Sequence, residues 1–145
     1  MPFHLSSGEL PSLPELLALY SSVLWTAYTR DPDALARAVR QSGFVWTARS
    51  EGDELIGLIR GVTDDVSILY VQDILVQPDW QRRGVGRALM EAVLARYEHV
   101  GQMVLITDDG PEQLAFYGAL GFRNTRDLVN VPTNAFYRDR RVRLS

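Results

Sequence analysis

Val71-Gln72-Asp73-Ile74-Leu75-Val76-Gln77-Pro78-Asp79-Trp80-Gln81-Arg82-Arg83-Gly84-Val85-Gly86-Arg87-Ala88-Leu89 runs an extended apolar stretch into a glycine-containing turn and then directly into a helical pattern. The first N–H groups of a helix have no internal partners, and the macrodipole makes that end positive. Such an end accepts an anion such as pyrophosphate. Gly84 and Gly86 remove Cβ atoms where a ligand must approach the backbone, and Arg82, Arg83 and Arg87 can add charge-assisted hydrogen bonds. Two familiar phosphate loops do not fit. A Walker loop needs Lys followed by Ser or Thr, and the chain has no Lys; the Rossmann fingerprint needs a third Gly where Leu89 stands. An ordinary αβ corner with a solvated arginine cluster is the competing reading.

Upstream, Ser12-Leu13-Pro14-Glu15 reads as a capping box, with Leu16, Leu17, Tyr20, Val23 and Leu24 following at helical spacing. Asp31-Pro32 starts a second helix, buried through Leu35, Ala36 and Val39 and stopped near Gly43. The period then changes. Phe44 to Ala48, Leu55 to Val62 and Val66 to Val76 read as strands joined by turns at Ser50-Glu51-Gly52-Asp53 and Thr63-Asp64-Asp65, an antiparallel meander. Downstream the pattern alternates. A helix from Gly84 to Tyr97 carries Val85, Ala88, Leu89, Ala92 and Val93 on one face. A strand follows from Met103 to Thr107, then a helix opened by Pro111-Glu112 and closed by Gly121. Phe122 onward returns to extended chain, ending in an Ala135-to-Arg143 segment whose Arg138, Arg140, Arg141 and Arg143 suit an exposed strand face. One α/β domain spanning 1–145, antiparallel half first, is expected.

Composition narrows the function classes. The 145 residues carry a net charge of −3, so nothing in the balance attracts nucleic acid. All 15 basic side chains are Arg. There is no Cys, which excludes a disulfide, a thiolate metal site and a cysteine nucleophile. His4 and His99 stand alone, without metal-ligand spacing, and no metal is expected. Met1-Pro2-Phe3-His4 lacks the pattern of a signal peptide, and no apolar run approaches the roughly 20 residues that span a bilayer. The expected address is the cytoplasm, with no membrane partner.

The pattern Gln-x-x-Gly-x-Gly, here Gln81 to Gly86, resembles the acetyl-CoA loop of the GCN5-related N-acetyltransferase family. Ile74-Leu75-Val76-Gln77-Pro78 is similar to that family's central strand, and Phe116-Tyr117-x-x-Leu120-Gly121-Phe122 to its second signature. The two signatures span roughly residues 70 to 122. The resemblance implies a GNAT-like α/β fold, a mixed, mostly antiparallel bent sheet with splayed central strands flanked by helices. It also implies acetyl-CoA as co-substrate. Its pyrophosphate is expected on Gln81, Arg82, Arg83, Gly84, Val85, Gly86 and Arg87. Its pantetheine arm is expected along a bulged strand at Ile74, Leu75 and Val76.

Acetyl transfer to an amine requires the amine to lose a proton, since an alkylammonium has a pKa of about 10.4. It also requires donors for developing oxyanion charge and a proton for the departing thiolate. No covalent enzyme intermediate is needed. The resemblance places Tyr117 near the thioester sulfur, as acid and cofactor contact; a core tyrosine on an apolar helix face is the alternative. Asp73 is the candidate base, with a structural hydrogen bond as its equal rival. The positions matching the base in other members hold Tyr70 and Gln72, poor bases, which favours water or another acid. Strand alternation sets Tyr70 and Gln72 on one face and Asp73 on the other, unless a bulge changes the phase. Trp25 and Tyr28 fall in the helical region that, by the resemblance, usually forms the acceptor wall; core packing is the alternative reading. With Tyr70 and Gln72 they are the expected substrate contacts, suited to an amine with an apolar or aromatic body. Asp108 and Asp109 are not assigned to the cofactor.

The expected activity is direct acetyl transfer from acetyl-CoA to a primary amine of a small molecule or a protein, through a ternary complex. The alternatives are a non-catalytic CoA-binding sensor of the same fold and a transferase for another acyl-CoA. The resemblance makes a homodimer reasonable.

Overall fold

A computed structural model describes residues 2–145. They form two compact units, one running to Ile106 and the other comprising Thr107–Ser145.

The first unit is a five-stranded sheet in the order β1-β2-β3-β4-β5. β1 is Phe3–Ser6, β2 Phe44–Ser50, β3 Leu55–Thr63, β4 Ile68–Val76 and β5 Gln102–Leu105. The first four pair antiparallel and β5 pairs parallel with β4, so the sheet is mixed and mostly antiparallel. The meander expected from the turns is present. Strand β1 was not anticipated, because four residues of no clear alternation gave no period to read.

Helix α1, Leu13–Ser22, begins on the expected capping box: Glu15 N donates to Ser12 Oγ and Ser12 N donates to Glu15 Oε1. It ends sooner than its apolar spacing suggests. Leu24 adopts φ 62° and is 81% exposed, so it leaves the buried stripe, while Val23 still packs on the core. A short helix α2, Thr26–Thr29, intervenes before α3, Pro32–Arg40, where Asp31 accepts from Ala34 N as its cap. Gly43 does not stop α3, which closes on Gln41; Gly43 N donates to Gly61 O instead. Leu16, Leu19 and Tyr20 of α1 and Leu35 and Val39 of α3 cover Leu55, Leu58 and Leu75 on one sheet face.

Helix α4, Val85–Arg96, covers the opposite face through Val85, Leu89, Met90 and Val93. Gly57 makes the close approach: a Cβ there would lie 3.0 Å from Val85 Cγ1 and 3.2 Å from Leu89 Cδ1. β4 begins at Ile68 rather than Val66, because the Asp64 carboxylate captures the N–H groups of Val66, Ser67 and Ile68 and holds them in a turn.

Two register shifts decide what faces the helices. In β3, Ile56 has no opposite number, since Ala48 pairs with Gly57 and Arg49 with Leu55. In β4, Arg60 pairs with Asp73 but Gly61 with Val71, leaving Gln72 as the extra residue of a bulge. Beyond Val71, opposite Leu105, the β5 edge of β4 has no paired strand among the described residues.

In the second unit, helix α5 is Pro111–Ala119, and Gly121 at φ 93° ends it, with Phe122 N donating to Tyr117 O. The expected extended return does not form a strand. Thr125–Asp127 is a 3-10 turn, and Ala135 to Arg143 pairs with no strand among the described residues. Instead Arg141 folds back on Asp139 two residues away.

Two outcomes test this architecture. A Cβ on Gly61 would come within 2.0 Å of Tyr70 O and 2.6 Å of Phe44 Cζ, so Gly61→Ala should cost about 3 kcal/mol. Gly57→Ala, whose nearest neighbours are side-chain methyls, should cost less than half of that in the same denaturant titration. Separately, Arg49 and the Ser12 N–H hold Glu15 at about 2, below its ordinary value. Because the folded form has the lower pKa, this stability is complete above the ordinary carboxylate range and is lost as pH falls toward 2. Glu15→Gln keeps the cap and should remove about 0.5–1 kcal/mol of that acid-sensitive stability, flattening the slope below pH 4.5.

Candidate active site

The bulge at Gln72 reverses the alternation of β4. Residues opposite one another share a face, so Arg60 and Asp73 look toward α1 and α3, as does the Val62–Tyr70 pair. Tyr70 and Asp73 thus lie on the same face, which unbroken alternation would forbid. The phase change left open in the sequence has occurred.

Asp73 is 3% exposed and every oxygen is engaged. Arg60 Nε donates to Oδ2 at 2.7 Å, Tyr20 Oη to Oδ2 at 2.8 Å and Tyr28 Oη to Oδ1 at 2.7 Å. Arg60 is itself 7% exposed, with Nη1 on Ser42 Oγ at 3.4 Å and Nη2 on Tyr28 Oη at 3.5 Å. Gln72 Nε2 completes the group, donating to Tyr28 Oη at 3.2 Å. Burial first, and the Asp73 charge second, push the Tyr20 and Tyr28 phenols up, so both remain protonated donors. Burial and then Asp73 also raise Tyr70. The geometry supplies the structural hydrogen bonds weighed as the rival role for Asp73.

The aromatic wall is continuous. Tyr20 stands edge-on to Tyr28 at 5.0 Å and to Trp25 at 6.0 Å, and Trp25 lies 6.2 Å from Tyr28. Trp25 is 36% exposed and so presents ring surface to solvent. Of the expected acceptor contacts, Trp25, Tyr28 and Gln72 are therefore brought together, while Tyr70 shares the sheet face of Asp73. Arg60 and Tyr20 were missed as site residues. An arginine inside Leu55-Ile56-Gly57-Leu58-Ile59-Arg60-Gly61-Val62 was the available signal, since a charge in an apolar strand needs a buried partner.

The loop after β4 has the features expected of an anion site. Trp80, 7% exposed, anchors it, and Gln81 Nε2 ties it to Val76 O at 3.0 Å. Arg82 and Gly84 take left-handed φ values of 62° and 84°. Gly84 leaves the α4 N-terminus without a side-chain cap, and a Cβ on it would meet nothing within 4 Å. Arg83 uses Nε on Asp79 O and Arg87 uses Nε on Glu91 Oε1, leaving other guanidinium donors to each. Exposed arginines, uncapped N–H groups and open space fit a pyrophosphate. Val85 has only backbone to offer there, its side chain being buried against Gly57. Ile74, Leu75 and Val76 pair with β3 on one edge, and on the other edge lie past the end of β5 pairing. Their backbone groups on that side fit an extended, amide-bearing arm.

Within the second unit, Tyr117 packs against Phe116 at 5.0 Å and Phe122 at 6.1 Å. Burial raises its phenol against a weaker opposing hydrogen bond from Thr107, keeping it in the protonated form an acid requires. No group of three or more acidic or histidine side chains among the described residues is placed to hold a metal ion.

Removing Asp73 strands a buried guanidinium. Asp73→Ala should lower stability by about 3–5 kcal/mol, whereas Arg60→Met paired with Asp73→Leu should recover most of that loss in thermal melts.

Comparison with known proteins follows the same lines. Residues 10–122 match the family model described as Acetyltransferase (GNAT) family. A GNAT family acetyltransferase from Streptococcus pneumoniae TIGR4 superposes with a TM-score of 0.78 at 30% identity, over 96% of this chain and 99% of that one. The chloroplastic serotonin N-acetyltransferase 2 of Oryza sativa subsp. japonica is 32% identical over 114 residues, 77% of this chain. The histone acetyltransferase TAP1 of Glycine max is 32% identical over 129 residues, 81% of this chain. The chain spans 56% and 54%, respectively, of the lengths of these two plant proteins. The bulged central strand, the glycine loop opening α4 and these matches lead to one assignment: the chain belongs to the GNAT acetyltransferase family.

Proposed function

We propose that residues 1–145 form one N-acetyltransferase domain that moves an acetyl group from acetyl-CoA to the primary amine of a small molecule with an apolar or aromatic body. The observation that carries this reading is the Tyr20–Trp25–Tyr28 wall beside a bulged strand whose buried carboxylate is already neutralised. A polycationic acceptor needs free carboxylates. Asp73 is the sole buried one among the described residues, and Arg60 and two phenols occupy it. Ring faces and the Gln72 amide are left to recognise the acceptor, through apolar contact and cation–π attraction. The name of the rice relative, a serotonin N-acetyltransferase, supports an amine on an aromatic body. The name of the soybean relative makes a protein amine the second reading.

In this reading acetyl-CoA supplies an activated thioester. Arg82, Arg83, Arg87 and the first N–H groups of α4 hold its pyrophosphate, and the free edge of Ile74 to Val76 holds its pantetheine arm. Aromatic walls orient the amine, which is worth a large share of the rate. Because the Asp73 oxygens are engaged, the amine proton leaves to water rather than to that carboxylate. Tyr117 Oη carries the proton that the departing sulfur takes up. A cytoplasmic address and a homodimer belong to the proposal. No helix among the described residues is long and apolar enough to cross a membrane, and some plant relatives carry chloroplastic names.

Isothermal titration with acetyl-CoA tests the cofactor assignment. The wild type should bind, and Gly86→Trp, folded by the same melting criterion, should not, because an indole at the second position of α4 fills the anion site. Absence of wild-type binding overturns the proposal. Binding without acetylation of 2-phenylethylamine, spermidine or glucosamine supports the sensor reading instead.

A further inference from the structure

We propose that Gln72 Oε1 is the hydrogen-bond acceptor that orients the acceptor amine, and that Arg60, Asp73 and Tyr28 act as positioning residues that fix its direction. The inference rests on the acetyltransferase reading and adds the polarity of its acceptor site.

Each proton's direction is fixed outward from the buried charge. A carboxylate ion-paired to arginine only accepts hydrogen bonds, and a guanidinium only donates them. Asp73 therefore takes Arg60 Nε–H and leaves Oδ1 for one more donor. Tyr28 is that donor at 2.7 Å, so its single hydroxyl proton points inward. Its oxygen then has only lone pairs to offer on the outer side. Gln72, 3.2 Å away, must meet those lone pairs with its NH2 group and not its carbonyl. The amide orientation, which electron density at ordinary resolution leaves ambiguous, is set here by the chain of donors.

The consequence is at the outer end. With Nε2 turned to Tyr28, Oε1 faces away from it and has no hydrogen-bond partner among the described residues, on an exposed side chain. Gln72 is also the bulged residue, so its backbone is displaced from the β3 register at the point where the β5 edge has ended. An amide oxygen can accept one N–H of a primary amine without competing for its lone pair, which stays directed at the acyl carbon. It adds no charge, in keeping with a site whose buried carboxylate is already paired.

The inner anchor is equally directional. Ser42 Oγ donates to Ala38 O at 2.8 Å and accepts from Arg60 Nη1, so the guanidinium is held from α3 as well as by Asp73. Burial keeps the Tyr28 phenol protonated. Neither inner step can reverse without leaving a buried charge or donor unpaired, and a flipped Gln72 amide would set its carbonyl against the Tyr28 lone pairs.

A double-mutant cycle on Gln72→Leu and Tyr28→Phe tests the relay, read as kcat/KM for 2-phenylethylamine with acetyl-CoA saturating. Loss of one hydrogen bond to a neutral group is worth about 1–1.4 kcal/mol, so Gln72→Leu should raise the amine KM about tenfold. KM for acetyl-CoA should stay unchanged. Tyr28→Phe frees the amide to rotate and should reproduce part of that loss, while the double variant should be no worse than Gln72→Leu alone. Strict additivity means Tyr28 acts through packing only and overturns the relay. An unchanged amine KM in Gln72→Leu overturns the role of Oε1 while leaving the transferase intact. Absence of turnover by the wild type overturns both the relay and the reading it rests on. In the free protein, the Gln72 Nε2 proton resonances should move in Tyr28→Phe, and stationary resonances contradict the proposed orientation.

Discussion

Arg60 and Asp73 form a buried ion pair at the centre of the sheet, and the arrangement of the helices on that face follows from the requirement that neither charge stand alone. Taking two charges out of water costs several kcal/mol each, so the pair is tolerated only with its remaining valences filled. Tyr20, Tyr28 and Ser42 fill them, from α1, the short α2 and the turn after α3. Those three segments are thereby pinned to the same point on β3 and β4. The bulge at Gln72 is the backbone counterpart of this demand. Without the extra residue, Tyr70 and Asp73 would face opposite sides of the sheet.

A second constraint is space on the opposite face. Gly57 and Gly61 carry no Cβ where α4 and the Phe44 ring come closest. That close packing sets the helix whose N-terminus receives the chain from the glycine loop. The two faces meet on β4: one side of the strand builds the polar network, and the end of the same strand feeds the glycine-containing turn before α4. In the proposed function both substrates would lie along this single strand.

Much of this was legible in the residues. The capping box at Ser12, the Asp31 cap, the meander turns and the strand-turn-helix around Gly84 are local signals, each written in a few adjacent positions. Trp25, Tyr28 and Gln72 were singled out only through resemblance; in the structure they are neighbours, and their contact with an acceptor is a proposal. What escaped depended on partners distant in sequence. Tyr20 reads as one more apolar position in a helical stripe until Asp73, 53 residues later, accepts its hydroxyl. Arg60 is a lone charge in an apolar strand whose partner, Asp73, is named only by the strand register. The Ala135 to Arg143 segment failed differently: its arginines suit an exposed strand face, but pairing needs a neighbouring edge, and local turns at Asp139 hold it otherwise.

Product stoichiometry tests the central claim most directly. Purified protein is incubated with acetyl-CoA and 2-phenylethylamine, with free thiol and N-acetylated amine quantified together. The account predicts one thiol released for each amide formed, with neither appearing when the amine is omitted. Thiol release without amide, or no release at all, contradicts it.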